Sequence, residues 1–213
     1  MSLSIGQFNK LIEVLRFLRK HITLFTDEEL MVEVINHHSS LAITELHRRY
    51  SKKLLGYFIK MLQRDADTAN DFVQELFLRI LEKKHLYDPE KKFYTWLFTI
   101  ASNMCKTAYR KGPIVALSTD GYELNKHTVD GDDLAEKNHF RELLKESLEH
   151  LEHHHKTVFV LRYMEQFSLN EIADITETSL GTVKSRLFYA TKKMTELLKA
   201  FDPTYESTFF KLN

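Results

Sequence analysis

The sequence is short of everything that interrupts a helix. Its 213 residues include three prolines and six glycines, where the two together make up roughly 12% of an average chain. That leaves too few turn residues for a β-sandwich or a doubly wound sheet. The single cysteine, Cys105, cannot form an internal disulfide, so a reducing, cytoplasmic setting is expected. No run approaches the ~20 uncharged apolar residues of a membrane span. Near the start, Arg16, Arg19 and Lys20 break the one apolar stretch and no small-residue cleavage site follows. Neither stable membrane insertion nor a signal peptide is expected. Also missing are a phosphate-cradling glycine loop, a nucleophile elbow and a His-Glu-x-x-His pair, so the expectation is not an enzyme, with no cofactor. With 43% hydrophobic and 28% charged residues, disorder is excluded too. What remains is an all-α protein.

Net charge is zero, 30 basic side chains against 30 acidic, which at first argues against nucleic acid. The average hides a pattern. Residues 113–140 hold six acidic and two basic side chains, 141–178 eight acidic and four basic, and 179–199 five basic and one acidic. The 113–139 stretch reads as an acidic linker: Gly112-Pro113 opens it, its apolar residues show no helical period, and Asp130-Gly131-Asp132-Asp133 is turn chemistry. The chain therefore divides into an N-terminal extension (1–26), a helical domain (27–112), the linker (113–139), a second helical domain (140–200) and a tail (201–213).

In the first domain, Asp27-Glu28-Glu29 suits the positive end of a helix dipole. Leu30, Val34, Leu41, Leu46, Tyr50, Leu54, Phe58 and Met61 recur at helical spacing. Asp65-Ala66-Asp67-Thr68 marks a break. A helix from Ala69 to Lys83 then buries Phe72, Val73, Leu76, Phe77 and Ile80, leaving Asp71, Gln74, Glu75 and Arg79 on what spacing alone reads as a solvated face. A basic loop, Glu90-Lys91-Lys92, precedes Phe93-Tyr94-Thr95-Trp96 and a helix through Arg110, on which Asn103, Lys106 and Arg110 point away from the core stripe. Lysines beside aromatic rings are what a single-stranded nucleic-acid site needs; Phe93, Trp96 and Leu97 also suit a plain core plug.

The second domain ends in a helix-turn-helix pattern. Ser168 and Glu171 make a capping box for a short helix ending near Ile175. Thr178-Ser179 then caps a second helix, from Leu180 to about Leu198, with Val183, Leu187, Ala190, Met194 and Leu197 as its packed stripe. Ser179, Thr182, Lys184, Ser185, Arg186 and Tyr189 are left at its exposed start, where recognition helices carry base-reading groups. The surplus of basic residues over 179–199 supplies phosphate attraction.

Taken in order, three runs resemble the extracytoplasmic-function group of bacterial sigma factors. They are Ala69-Asn70-Asp71-Phe72-Val73-Gln74-Glu75-Leu76-Phe77-Leu78-Arg79; Phe93-Tyr94-Thr95-Trp96-Leu97-Phe98-Thr99-Ile100-Ala101-Ser102-Asn103; and Val158-Phe159-Val160-Leu161-Arg162-Tyr163 with Glu171-Ile172-Ala173 and Ser179 to Leu187. The resemblance implies that Asp71, Gln74 and Glu75 dock on the clamp helices of the largest subunit of core RNA polymerase. It implies that the loop Lys83–Lys92 and the start of the next helix, with Lys91, Lys92, Phe93, Tyr94 and Trp96, capture single-stranded promoter DNA at the −10 element, with Asn103, Lys106 and Arg110 facing the upstream duplex edge. The helix from Ser179 would read double-stranded DNA at −35, and the linker would thread toward the RNA path. An anti-sigma protein is the further partner implied. The chain departs from the family pattern at Glu177, where the turn usually has glycine, at Thr178, usually apolar, and at Leu151-Glu152-His153-His154-His155-Lys156, which lacks the usual proline, so that helix is expected to start earlier. A stand-alone helix-turn-helix regulator is the competing reading, and a paralogue with a spoiled reader is another.

Three side features have plain readings. Phe8, Leu11, Ile12, Leu15, Leu18 and Ile22 make an amphipathic stripe suited to packing or partner docking. His150, His153, His154 and His155 read as solvated rather than as a metal site, because no cysteine is near and a metal needs three or four ligands. Cys105 reads as a small buried apolar residue.

Overall fold

The computed structural model describes residues 22–112 and 132–201, with side chains over 22–112 and 140–199. The N-terminal stripe as far as residue 21, linker residues 113–131 and the tail from 202 lie outside the described residues. Every regular element among the described residues is helical, as the scarcity of proline and glycine predicts.

In the first domain, α1 (Asp27–His37) starts with a reciprocal capping box: Glu29 N–H donates to Thr26 Oγ1 at 3.1 Å and Thr26 N–H to the Glu29 carboxylate at 2.7 Å. Ser39 caps α2 (Ser40–Leu62) and Asp65 caps α3 (Ala66–Lys83), its carboxylate accepting from Thr68 N–H at 2.6 Å. The break expected at Asp65–Thr68 is thus a cap followed by a first turn. A 3₁₀ turn (Lys84–Leu86) and the basic loop lead into α4 (Phe93–Arg110), which ends at Gly112 with φ +80°, a backbone conformation open to glycine at little cost. Leu30, Val34, Leu46, Leu54, Phe58, Leu76, Ile80 and Leu97 form the core between these helices.

In the second domain, α5 (Asp132–Glu149) begins inside the stretch read as linker. Asp132 and Asp133, read there as turn residues, instead occupy the end of a helix that favours negative charge. A break at 150–152 follows, so α6 (His153–Phe159) does not start earlier as expected. It runs into a π-helical turn (Val160–Met164) closed by Glu165 N–H to Val160 O at 3.0 Å. Gln166, in the left-handed region, then reverses the chain and Phe167 N–H returns to Leu161 O at 3.0 Å. Next comes α7 (Leu169–Thr176), with the Ser168/Glu171 capping box in place. Glu177 makes the turn at φ 52°, and α8 (Leu180–Phe201) completes the helix-turn-helix.

The two domains share one apolar core. The face of α4 that carries Tyr94, Phe98 and Cys105 packs on α6 and α7, and α2 packs on α6 and the π-turn.

Candidate nucleic-acid interface

On α3, Asp71, Gln74 and Glu75 are exposed on the side opposite Val73, Leu76 and Ile80. Glu75 is tied to Arg79 by an i, i+4 ion pair at 2.5 Å, which holds both side chains along the helix surface. Among the described residues, no helix covers the Asp71, Gln74 and Glu75 side chains.

The residues expected to hold single-stranded DNA divide into two groups. Trp96 and Asn103 line a shallow groove of about 180 Å³ between α4 and α3, together with Arg79, Lys83, Leu86 and Ile100. Lys106 and Arg110 continue that exposed stripe of α4 at helical spacing. Lys83 and Leu86 lie in the loop expected to capture the strand, whereas Arg79 was not among the expected residues; its signal is the i, i+4 step to Lys83, which points two cations at one surface. Lys91 is exposed in the loop.

Lys92 and Tyr94 belong to the other group, at the joint with the second domain. Lys92 Nζ donates to Glu171 Oε1 at 2.8 Å. That contact, followed by the hydrogen bonds from Ser168 N–H and its hydroxyl, holds the Glu171 carboxyl down at about 2. The Tyr94 ring stacks on Phe167, with centroids 4.7 Å apart and planes 19° apart, while Lys53 Nζ stands over the Tyr94 ring, 4.7 Å from its centroid. Burial pushes the Tyr94 hydroxyl well above its ordinary value. Phe93 is placed differently from the expectation. It is fully buried among Tyr50, Tyr87 and Trp96, because as the first residue of α4 it turns inward onto α1 and α2. It is a core ring, out of reach of a base in this arrangement.

In the helix-turn-helix, Ser179 Oγ accepts from Thr182 N–H at 3.1 Å, and the two hydroxyls lie 2.9 Å apart. Ser185 Oγ donates back to Thr182 O at 3.0 Å. Ser179 and Thr182 therefore close the helix start, while Lys184, Ser185 and Tyr189 project outward and Arg186 is half-buried beside His155. Phe188, not in the sequence-based set, is 65% exposed and packs edge-on against Tyr189. Its signal is its place on the face opposite Val183, Ala190 and Met194. The described part of α8 thus offers two cations, a hydroxyl and two aromatic rings on one surface, a composition suited to phosphates, base edges and thymine methyl groups.

The histidine run splits as well. His153 stacks on Tyr109, with centroids 4.9 Å apart and planes 19° apart, and burial, then Lys156, His154 and Lys106, lower it to about 4. Glu152, His154 and His155 bring their donor atoms within 4.8 Å of one another, the group among the described residues that could hold a metal ion. Three donors fall short of a closed four-ligand site, and Arg186 faces His155. Cys105 is fully buried, its thiol pushed up by burial with Lys156 offsetting part of the rise. No helix among the described residues is long and apolar enough to cross a membrane.

Comparison with known proteins places both halves. The model of sigma-70 region 2 matches residues 46–112 and that of sigma-70 region 4 matches residues 141–194. The chain is 31% identical over 146 residues to the ECF RNA polymerase sigma factor EcfG of Rhodopseudomonas palustris, covering 68% of this chain and 78% of that one. It is 29% identical over 173 residues to the ECF RNA polymerase sigma-E factor of Haemophilus influenzae, covering 76% and 90%. Among solved structures it is similar to CnrH in complex with the cytosolic domain of CnrY, with a TM-score of 0.61 at 22% identity over 82% of this chain and 97% of that one.

Proposed function

The chain belongs to the extracytoplasmic-function group of the sigma-70 family, and we propose that its residues divide the work of that family between the two domains. As a sigma factor it is a DNA-binding regulatory subunit that gives core RNA polymerase its promoter specificity. Domain 27–112 docks on the polymerase clamp helices through Asp71, Gln74 and Glu75. It takes the −10 single strand along the basic loop, where Lys91 and Lys92 supply cations and Tyr94 a ring, and along the Trp96–Asn103 groove, with Lys106 and Arg110 toward the duplex edge. Domain 140–200 reads −35 DNA with Lys184, Ser185, Arg186 and Tyr189, on a helix start shaped by Ser179 and Thr182. The chain itself catalyses nothing, works in the cytoplasm, and is held in reserve by an anti-sigma partner.

The observation that carries this reading is the pairing of an exposed acidic and amide face on α3 with a cationic and aromatic face on α8, each within its own sigma-region match. A stand-alone helix-turn-helix regulator would leave the α3 face without a role. The test is co-elution with bacterial core polymerase. Wild type is expected to bind stoichiometrically, and Asp71→Ala/Gln74→Ala/Glu75→Ala to bind at least tenfold more weakly while melting at the same temperature, since all three side chains are exposed. Equal binding by both proteins would remove the docking role from this face.

A further inference from the structure

The stretch between α3 and α4, Lys84 to Lys92, is laid along α1 and pinned to it at both ends. At its start, Lys84 Nζ donates to Val34 O at 3.0 Å, in the last turn of α1, and lies 2.6 Å from His38 Nδ1. At its end, Phe93 N–H donates to Glu28 Oε1 at 2.9 Å, in the first turn of α1. Helix α1 is about 16 Å long, whereas the loop could extend to about 30 Å, so the surplus chain is folded into a turn. Within that turn Tyr87 Oη donates to Lys91 O at 2.7 Å, Lys91 N–H to Asp88 O at 3.0 Å and Glu90 N–H to Asp88 Oδ1 at 3.1 Å. Lys91 is therefore exposed on an ordered backbone.

The contact from Glu28 also finishes α4. A helix begins with unpaired N–H groups, one of which an N-cap side chain normally takes. Lys92 stands at that N-cap and makes no such bond, since its ammonium has no acceptor. Glu28 supplies the missing acceptor from another helix. The turn it caps holds Tyr94 and Trp96, and Trp96 in turn packs on Tyr87, with ring centroids 5.1 Å apart. Read as sequence, Asp27-Glu28-Glu29 is simply an acidic helix start, yet each carboxylate has its own partner. Glu29 closes the Thr26 box, Asp27 takes Arg49 and Tyr50, and Glu28 takes Phe93 N–H. An acidic side chain beside a DNA-binding loop opposes the strand by its charge, so Glu28 makes sense there through its oxygen. It lies N-terminal to the sigma-70 region 2 match, which begins at residue 46.

We infer that α1 is a splint for the promoter-strand loop and that Glu28 is a positioning residue. By capping α4 from outside that helix, it fixes the loop and Trp96 in the conformation that takes the strand. The inference rests on the strand-binding reading of the loop given above.

The test uses the full chain assembled on bacterial core polymerase. The probe is a fluorescent DNA fork whose single-stranded tail holds about ten randomised nucleotides, with core polymerase alone as the blank. Glu28→Asp keeps the charge and withdraws the oxygen by one methylene, whereas Glu28→Gln keeps the reach and the acceptor and loses the charge. Glu28→Asp is expected to bind the fork about fivefold more weakly than wild type, the loss of one cap, and Glu28→Gln to stay within about twofold. A role through charge reverses that order. A merely structural role lowers the melting temperature and leaves the fork affinity of the assembled chain unchanged. Co-elution with core polymerase checks assembly, and a thermal melt checks folding. Trp96 is the sole tryptophan, so its emission in the free chain gives a second signature: acrylamide should quench it more readily in Glu28→Asp than in Glu28→Gln or wild type. Wild-type affinity in Glu28→Asp, or equal losses in both variants, would overturn the inference. Trp96→Ala separates it from the reading beneath it. Weaker fork binding by Trp96→Ala, with both Glu28 variants at wild-type affinity, discards the splint alone. Wild-type chain that adds no fork binding to core polymerase removes the strand-binding reading and the inference with it.

Discussion

At the scale of single residues, burial by the partner domain sets the unusual chemistry. His153, stacked on Tyr109 and held at about 4 against an ordinary 6.5, stays neutral in the folded chain. Below pH 6.5 the unfolded chain takes up a proton at this position that the folded chain refuses until about pH 4, so stability falls as pH drops through that window. Glu165 acts in the opposite sense, because burial raises its carboxyl and protonation relieves the cost of a buried charge. The contribution of His153 is therefore best read as a difference. His153→Phe keeps a ring against Tyr109 and should flatten the fall in urea-unfolding stability between pH 6.5 and 4 relative to wild type. Parallel profiles for the two proteins would mean that His153 titrates freely in the folded state. None of this was legible in the histidine run itself, whose spacing suggested a solvated surface. What distinguishes His153 from His154 is a ring contributed by α4, far away in sequence.

Among elements, the helices were plain to read and their ends were not. Stripes such as Val73, Leu76, Phe77 and Ile80 or Val183, Ala190 and Met194 announce α3 and α8, because burial on one face imposes the helical period wherever the packing partner lies. The Ser168/Glu171 box was legible for the same local reason. The turns were harder, since His38, Gln63, Gln166 and Glu177 all adopt positive φ without the glycine that normally signals it. A low glycine count correctly pointed to an all-helical chain, but it concealed where that chain turns. Asp132 and Asp133 misled in a related way, as acidic residues suit both a turn and a helix start. At Glu177 the left-handed backbone carries a cost of about 1–2 kcal/mol. Glu177→Gly should then raise stability by ~1 kcal/mol, after allowing for the extra freedom glycine gains in the unfolded chain. Thermal denaturation checks this; a lower melting temperature would mean that the glutamate side chain stabilises the turn by more than its backbone costs. Ser168→Ala tests the opposite end of α7 and should cost ~1 kcal/mol.

For the molecule as a whole, the division into two helical domains and the exposure of Asp71, Gln74 and Glu75 on α3 and of Lys184, Ser185 and Tyr189 on α8 could be read from sequence, whereas the relation between the domains could not. Tyr94 and Phe98 look like core or ligand-binding rings in their own helix, and only the fold reveals that Phe167 lies across from them. Phe93, one residue away, is wholly internal. A one-residue step on a helix turns a side chain by about 100°, so composition alone does not sort neighbours in an aromatic cluster. The same geometry gives the lone thiol a use. Cys105 lies on the face of α4 that meets the second domain, beside Lys156 of α6, so a colourless reagent that turns yellow on meeting a free thiol should react with the resting chain slowly and with the polymerase-bound chain faster. This protein's one sulfhydryl sits where the domains meet, so any parting of the domains on binding polymerase would be read directly from its rate of modification, with no label added.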